Sequence, residues 1–463
     1  MGSLAAAGRP NGVSMAASRH ISQQAKALHI NGQRLMDSIH STCDFGKAHP
    51  YGEHHTETGM ARLALNDDDK SVRQWLIEQV KALGCTVTVD QMGNIFAVRA
   101  GKTANVAPIM IGSHLDTQPT GGRYDGILGV LSGLEALRTL HDNNFETNGP
   151  VGLVNWTNEE GARFPMVTVS SGVWAGSIPI EDAWNCLETS TLCKGEQRQT
   201  LKQELQRIGF LGDTPASYKA FPMAAHFELH IEQGPILENE SQKIGVVTGG
   251  QAYSWYEVTI KGQDCHAGTT PLYARKDALL AAAKMIVYSN SVAKEFDGLI
   301  TTGDLKAEPG SMNTMAHTVK FTLDMRHFSD DQLSKMVETC QRNFSRIARE
   351  ECERGVEVEW TCLTENTAVE FDAGCIEAIE ESAKEACAGL PQKPDQKLWR
   401  RMLSGAGHDS CHVSKRSPTA MIFTPTRDGM SHTPTEYCSP EDCVLGAQVL
   451  LGAVLRYDAG RVV

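Results

Sequence analysis

Four short apolar runs decide what this chain can become. They lie at 108–112, 151–156, 227–231 and 419–423, and helical patterns alternate with them. Runs of four to six apolar residues set between helices read as strands of an α/β sheet covered on both faces. With 463 residues there is room for a large core and for two domains. A hydrophobic content of 41% and a charged content of 21% are ordinary for a globular protein. The formal net charge of −13 argues against nucleic acid as a partner. No apolar run approaches the ~18–20 residues needed to span a bilayer, so no membrane partner is expected.

Taken in order, the pattern predicts helices over 21–41 and 71–84 and a hairpin over 86–100. A helix is expected over 125–140, and a less regular stretch, 170–221, holds one helix at 201–208. A further strand is expected at 244–247. From 254 the rhythm changes. Strand 254–261, helix 275–294, strands 299–305 and 318–326, helix 330–349 and strand 355–363 follow the β-α-β-β-α-β order of a ferredoxin-like sandwich. Within 318–326, Val319, Phe321, Leu323 and Met325 alternate with Lys320, Thr322, Asp324 and Arg326, so one face packs and the other presents Arg326. After Phe371 the α/β pattern resumes, with a helix over 373–388 and another over 440–456. The expected division is a flexible tail at 1–24, a larger domain made of 25–251 and 368–463, and an inserted domain at 252–367.

Thirteen scattered cysteines, with no Cys-x-x-Cys, fit a reducing compartment, and the cytoplasm is the expected location. Arg9, Arg19, Lys26 and Arg34 precede the first acidic residue, Asp37, which leaves an organellar address as the alternative.

Strand ends in open α/β sheets are where sites form. The first run leads to His114 and, across a glycine-rich loop, to Asp125. The second leads to Glu159-Glu160. The third carries His230, and the fourth leads to His432. Each feature alone is common in structural roles; Asp125, for instance, stands where a helix N-cap would. Their joint occurrence at successive strand ends points to a metal site. Imidazole and carboxylate donors without cysteine suit Zn²⁺, and also Mn²⁺, Co²⁺ or Ni²⁺. A carboxylate placed like Asp125 can hold two ions ~3.5–4 Å apart. Of two adjacent glutamates, one can ligate while the other moves a proton. Asp116 is expected to orient His114 through its second ring nitrogen.

These residues sit in motifs with a familiar order: Gly-Ser-His114-Leu-Asp116-Thr, Gly-Gly-Arg-Tyr-Asp125-Gly126, Asn158-Glu159-Glu160-Gly161, Glu228-Leu-His230-Ile-Glu-Gln-Gly-Pro, His266-Ala-Gly-Thr-Thr-Pro, Gly405-Ala-Gly-His408-Asp-Ser and Ser431-His432. From about residue 25 to the C-terminus the chain resembles the dinuclear metallo-amidohydrolases. These include N-carbamoyl-L-amino acid hydrolase, fungal-type β-ureidopropionase (β-alanine synthase) and allantoate amidohydrolase, and they are relatives of zinc aminopeptidases. The resemblance is closest to the β-ureidopropionase branch, whose reaction belongs to pyrimidine degradation. It implies an aminopeptidase-like mixed-sheet catalytic domain with an inserted ferredoxin-like lid and dimerisation domain. It implies one metal on His114 and His230, a second on Glu160 and His432, Asp125 as the bridge and Glu159 as general base. It places Gln251, His266, Asn313 and Arg326 at positions that bind substrate or polarise its carbonyl, and His408 near the substrate. The implied reaction is hydrolysis of a carbamoyl C–N bond by a homodimer.

The sequence departs from the family pattern in two places. Met315-Ala316-His317 replaces a hydrophobic-Pro-Gly turn after Asn313, and Thr433 replaces a common Asn after His432. The enzymatic alternatives are hydrolysis of allantoate or another ureido acid and, after it, of a peptide or N-acyl amino acid on the same site; a catalytically silent metal-binding homologue is the alternative from another class.

Overall fold

The computed structural model describes residues 22–189, 192, 197–392 and 396–461. Residues 1–21 of the expected tail, and the organellar reading that rests on them, lie outside the described residues. The chain divides into two compact units. One runs to Thr248 and resumes at Glu370; the other is Gly249–Val369. Gln251, expected at the end of the larger domain, therefore falls in the smaller unit.

The larger unit is built on a nine-stranded mixed sheet. Strands Thr419–Thr424, Ala225–Ile231, Ile109–His114 and Val151–Trp156 lie side by side in that order and run parallel. Antiparallel strands flank them, Ile244–Gly250 on one side and Ile95–Arg99 followed by Thr86–Val89 on the other. Every residue of the four central strands is buried, which explains why they read as unbroken apolar runs. Ile111 and Leu153 meet the helix Ile127–Asp142 at Gly133. Their neighbours Met110, Val154 and Trp156 join Trp174 and Val413 in a separate cluster. Strand Ile109–His114 connects to its neighbour on one side, while the chain leaving Ala225–Ile231 continues on the other. Those two strands therefore frame the switch point where α/β sheets hold ligands.

The smaller unit has an antiparallel sheet in the order Leu299–Thr301, Thr318–His327, Ala252–Lys261, Glu357–Asn366, with Leu305–Glu308 also paired to Thr318–His327. Helices Ala278–Glu295 and Asp330–Glu350 pack on it. Val319, Phe321, Leu323 and Met325 are at most 1% exposed, and each buried side chain of this kind contributes roughly 1.5–3 kcal/mol.

Several boundaries differ from the sequence expectation. The helix expected over 21–41 is two, Gln23–Lys26 and Gly32–Thr42, because the Asn31 side chain caps the second by accepting from Arg34 N. The helix expected from 71 begins at Asp67, capped by Asn66, with three aspartates in its first turn. Strand 299–305 is split into two pieces. The strand Trp399–Ser404 was not anticipated; it is an outer strand carrying two arginines and, among the described residues, pairs with Ile244–Gly250. The twelve described cysteines are free thiols, eight of them buried. Among the described residues no helix is long and apolar enough to cross a membrane.

Candidate metal centre

The centre forms where the four parallel strands end. His114 is the last residue of its strand and His230 the penultimate residue of the next. Both rings have one nitrogen committed to the main chain. His114 Nδ1 donates to Asp116 O and His230 Nδ1 to Ile231 O, each at 2.9 Å. A carbonyl can only accept, so Nε2 of each ring is the atom left for a ligand. Asp116 thus orients His114 through the second ring nitrogen, using its main-chain oxygen and not its carboxylate. Its carboxylate instead accepts from Glu159 N and Glu160 N, both at 3.3 Å, and fixes the turn that carries the two glutamates.

Asp125 lies between two groups of donors. Its Oδ1 is 3.0 Å from His230 Nε2 and 3.6 Å from His114 Nε2. Its Oδ2 is 3.2 Å from His432 Nε2, which in turn is 3.5 Å from Glu160 Oε2. Donor atoms on one tetrahedral ion at about 2.0–2.2 Å lie roughly 3.3–3.5 Å apart, so these spacings fit two ions sharing one carboxylate. Asp125 is not an N-cap; Gly126 holds that position in Ile127–Asp142, at φ 67°. A Cβ on Gly126 would lie 2.3 Å from His114 Cε1, so only glycine lets the helix start beneath the ring.

Asn158, Gln233 and His432 have φ of 56°, 58° and 56°. Left-handed backbone at such residues costs of order 1–3 kcal/mol and persists only where the surroundings fix it. They do here. Asn158 Nδ2 donates to Phe164 O and Met166 O at 3.1 and 3.0 Å, and Gln233 Nε2 donates to Asp125 Oδ2 at 2.8 Å.

The charges explain the composition of the site. Asp125, Glu159 and Glu160 are each at most 8% exposed, and among the described residues none pairs with Lys or Arg. Burial opposes ionisation of Asp125, but His230, His114 and His432 outweigh it and hold the carboxyl well below its usual range. Burial, together with Asp409, Glu160 and Asp125, raises Glu159 well above the usual value, and burial with Asp125 lifts Glu160 to about 7. The hydrogen bond to Asp125 leads in raising His432 to about 9. Divalent cations would satisfy this set, and His114 Nε2 is already buried without a hydrogen-bond partner. The residues fit two metal ions.

Glu159 stands apart from the ligands. No hydrogen bond holds its carboxylate among the described residues, and His114 Nε2 is 3.6 Å away. His408 packs edge-on against His230 with ring centroids 4.6 Å apart, and its Nε2 pairs with Ser404 Oγ at 3.0 Å. Burial leads in keeping His408 well below the usual histidine value, so its ring is neutral. Glu228 lies two residues before His230 and accepts from Ser113 Oγ and Ser410 Oγ at 2.9 and 2.6 Å.

The remaining candidates lie in the smaller unit. Gly268 N and Thr269 N both donate to His266 Nδ1, at 3.1 and 3.2 Å. That makes Nδ1 an acceptor and leaves Nε2 carrying the proton, a donor suited to a developing oxyanion. Asn313 is beside it, its carbonyl accepting from Ala267 N at 2.9 Å. The departure after Asn313 has a packing reason, since Met315 and Ala316 are each 7% exposed. Arg326 makes two hydrogen bonds to Asp324, at 2.8 and 2.6 Å, and its guanidinium lies 5.6 Å from the Tyr253 ring. Gln251 is 9% exposed.

Gln118, Gln233, Glu228 and Glu436 also belong to the site, and sequence reasoning assigned them no role. Gln118 Nε2 donates to Glu160 Oε2 at 2.7 Å. Gln233 and Glu228 stand inside quoted motifs, which was a usable signal; Gln118 and Glu436 stand in none.

Comparison with known proteins agrees with this geometry. The profile of peptidase family M20/M25/M40 matches residues 110–456. An N-carbamoyl-L-amino-acid amidohydrolase of Rhizobium meliloti is 38% identical over 92% of this chain and 96% of its own length. A ureidoglycolate hydrolase of Oryza sativa subsp. japonica is 32% identical over 86% of this chain and 80% of its own. The crystal structure of an amidase of the hydantoinase/carbamoylase family from Burkholderia multivorans superimposes with a TM-score of 0.82 at 42% identity, covering 93% of this chain and 98% of that one. The chain therefore belongs to the carbamoylase and allantoate amidohydrolase group within peptidase family M20/M25/M40.

Proposed function

We propose that the protein hydrolyses the carbamoyl C–N bond of N-carbamoyl amino acids, N-carbamoyl-β-alanine among them, giving the amino acid, ammonia and carbon dioxide. One observation carries the reading: Asp125 divides its two oxygens between two donor groups, with the uncommitted Glu159 alongside. Two ions bound there, Zn²⁺ first and Mn²⁺, Co²⁺ or Ni²⁺ as alternatives, would polarise the scissile carbonyl and lower the pKa of water. Glu159 takes the proton of the attacking water and delivers it to the leaving amine. His266 offers Nε2–H to the carbamoyl oxygen, and Arg326 takes the substrate carboxylate as a planar two-donor fork. Gln251, Asn313 and His408 complete substrate binding.

The substrate class follows the names of several relatives, among them N-carbamoyl-L-amino-acid amidohydrolases of Rhizobium meliloti, Geobacillus stearothermophilus and a Pseudomonas strain. The rice relative supports a second reading, a ureidoglycolate- or allantoate-type ureido acid. We assign the smaller unit the roles of lid and dimerisation domain in a cytoplasmic homodimer. On its helix Ala278–Glu295, Leu280 and Val287 stand seven residues apart and are 51% and 70% exposed, an apolar stripe suited to a second copy.

Assay of the metal-loaded chain on N-carbamoyl-β-alanine, an N-carbamoyl-α-amino acid, allantoate, ureidoglycolate and a dipeptide tests the reaction. Turnover confined to the dipeptide would overturn it. Glu159→Gln should retain its metal and lose ~10²–10⁴-fold in turnover. A monomeric mass by light scattering would overturn the dimer.

A further inference from the structure

We infer that Glu436 is a positioning residue that locks the second metal half-site to the bridging carboxylate. It is 1% exposed and lies about three hundred residues along the chain from the loop it holds. Oε1 accepts from Tyr124 N at 3.0 Å and from Asp125 N at 3.1 Å. Oε2 is 2.8 Å from Ser431 Oγ. The same hydroxyl lies 3.1 Å from Asp125 Oδ2, and the next residue is His432. One carboxylate thus grips the main chain of the bridge with one oxygen and the loop bearing His432 with the other.

The two half-sites need this clamp unequally. His114 and His230 are fixed by strands that hydrogen-bond to each other. His432 has no strand beneath it. It sits at φ 56° on a loop, with its side chain 49% exposed. Its 3.2 Å approach to Asp125 Oδ2 is set by Ser431, Gln233 and, through Ser431, Glu436. Gly122 makes room for the clamp, because a Cβ there would fall 2.3 Å from both Glu436 Cβ and Oε1. Two positions far apart in sequence therefore serve one contact. Removing the clamp should release the ion on Glu160 and His432 and leave the ion on His114 and His230 in place.

The inference rests on the two-ion reading. Wild-type chain that binds fewer than two ions defeats that reading, whereas wild type with two and variants with two defeat this one. The experiment strips the full-length chain and titrates it with Co²⁺ alone, following absorbance and bound metal. Glu436→Ala should keep the first equivalent at wild-type affinity and weaken the second by ~10–100-fold. Glu436→Gln should restore most of it, since its amide oxygen can still accept from Tyr124 N and Asp125 N while its NH₂ meets Ser431. Gly122→Ala should reproduce Glu436→Ala, and Ser431→Ala should give a smaller loss in the same direction. Should Glu436→Ala fail to fold, as judged by circular dichroism, the Gly122→Ala and Ser431→Ala titrations decide. Two tightly held equivalents in those variants, or equal loss of both, overturns the proposal.

Discussion

On the Oδ1 side of Asp125 both histidines end central strands and are 1% exposed; on the Oδ2 side His432 rides a loop and is half exposed. The first side inherits its geometry from the sheet, whose backbone hydrogen bonds place His114 and His230 before any side chain acts. The second side rides a loop closed by Arg427 N to Tyr437 O at 2.9 Å and Glu436 N to Thr433 O at 3.1 Å, and side-chain hydrogen bonds set its approach to the bridge. One bridging residue thus joins a half-site made by the fold to a half-site made by a network, and the two should fail in different ways.

The largest effect should come from the residue they share. Asp125→Ala should reduce bound metal from about two ions per chain to fewer than one and abolish turnover; elemental analysis that still finds two would dissolve the distinction between the sides. Next come the single histidines. His230→Ala should remove the tighter ion and His432→Ala only the weaker, measured as separate steps in a metal titration, and identical titrations would show that the sheet confers no advantage. A smaller effect is expected from Gln118→Ala, which frees Glu160 Oε2 and should weaken the second step by ~10–100-fold with the first unchanged. The mildest probe is pH. In the metal-free chain burial pushes Glu160 up to about 7, and the bond to Asp125 lifts His432 to about 9. Each must lose a proton to ligate. Second-step affinity should therefore be weakest below pH about 7, rise through that value and level off above about 9. A flat profile would mean that neither proton competes with the metal.

The first half-site was legible in the sequence and the second only partly so. Apolar runs show where strands end, and His114 and His230 follow from that. The alternation of Val319, Phe321, Leu323 and Met325 fixed a strand face in the smaller unit in the same way. The strand Trp399–Ser404 escaped because its arginines break the pattern, as befits an outer strand. The pairing of Asp116 with His114 was legible, whereas the atom that makes it, a main-chain oxygen, was not. Glu436 gave no local sign at all, since its partners are Tyr124 and Asp125 and no spacing within 431–440 points to them.

The start of Ile127–Asp142 beneath the His114 ring has one more consequence. A helix carries roughly half a positive charge at its N-terminus, and carboxylates near that end gain typically 0.3–1 kcal/mol. Asp125 stands one residue ahead of the N-cap, at the positive end of a sixteen-residue helix. The macrodipole therefore favours the ionised bridge in the empty site as well as the filled one, so the helix pre-charges the ligand before an ion arrives.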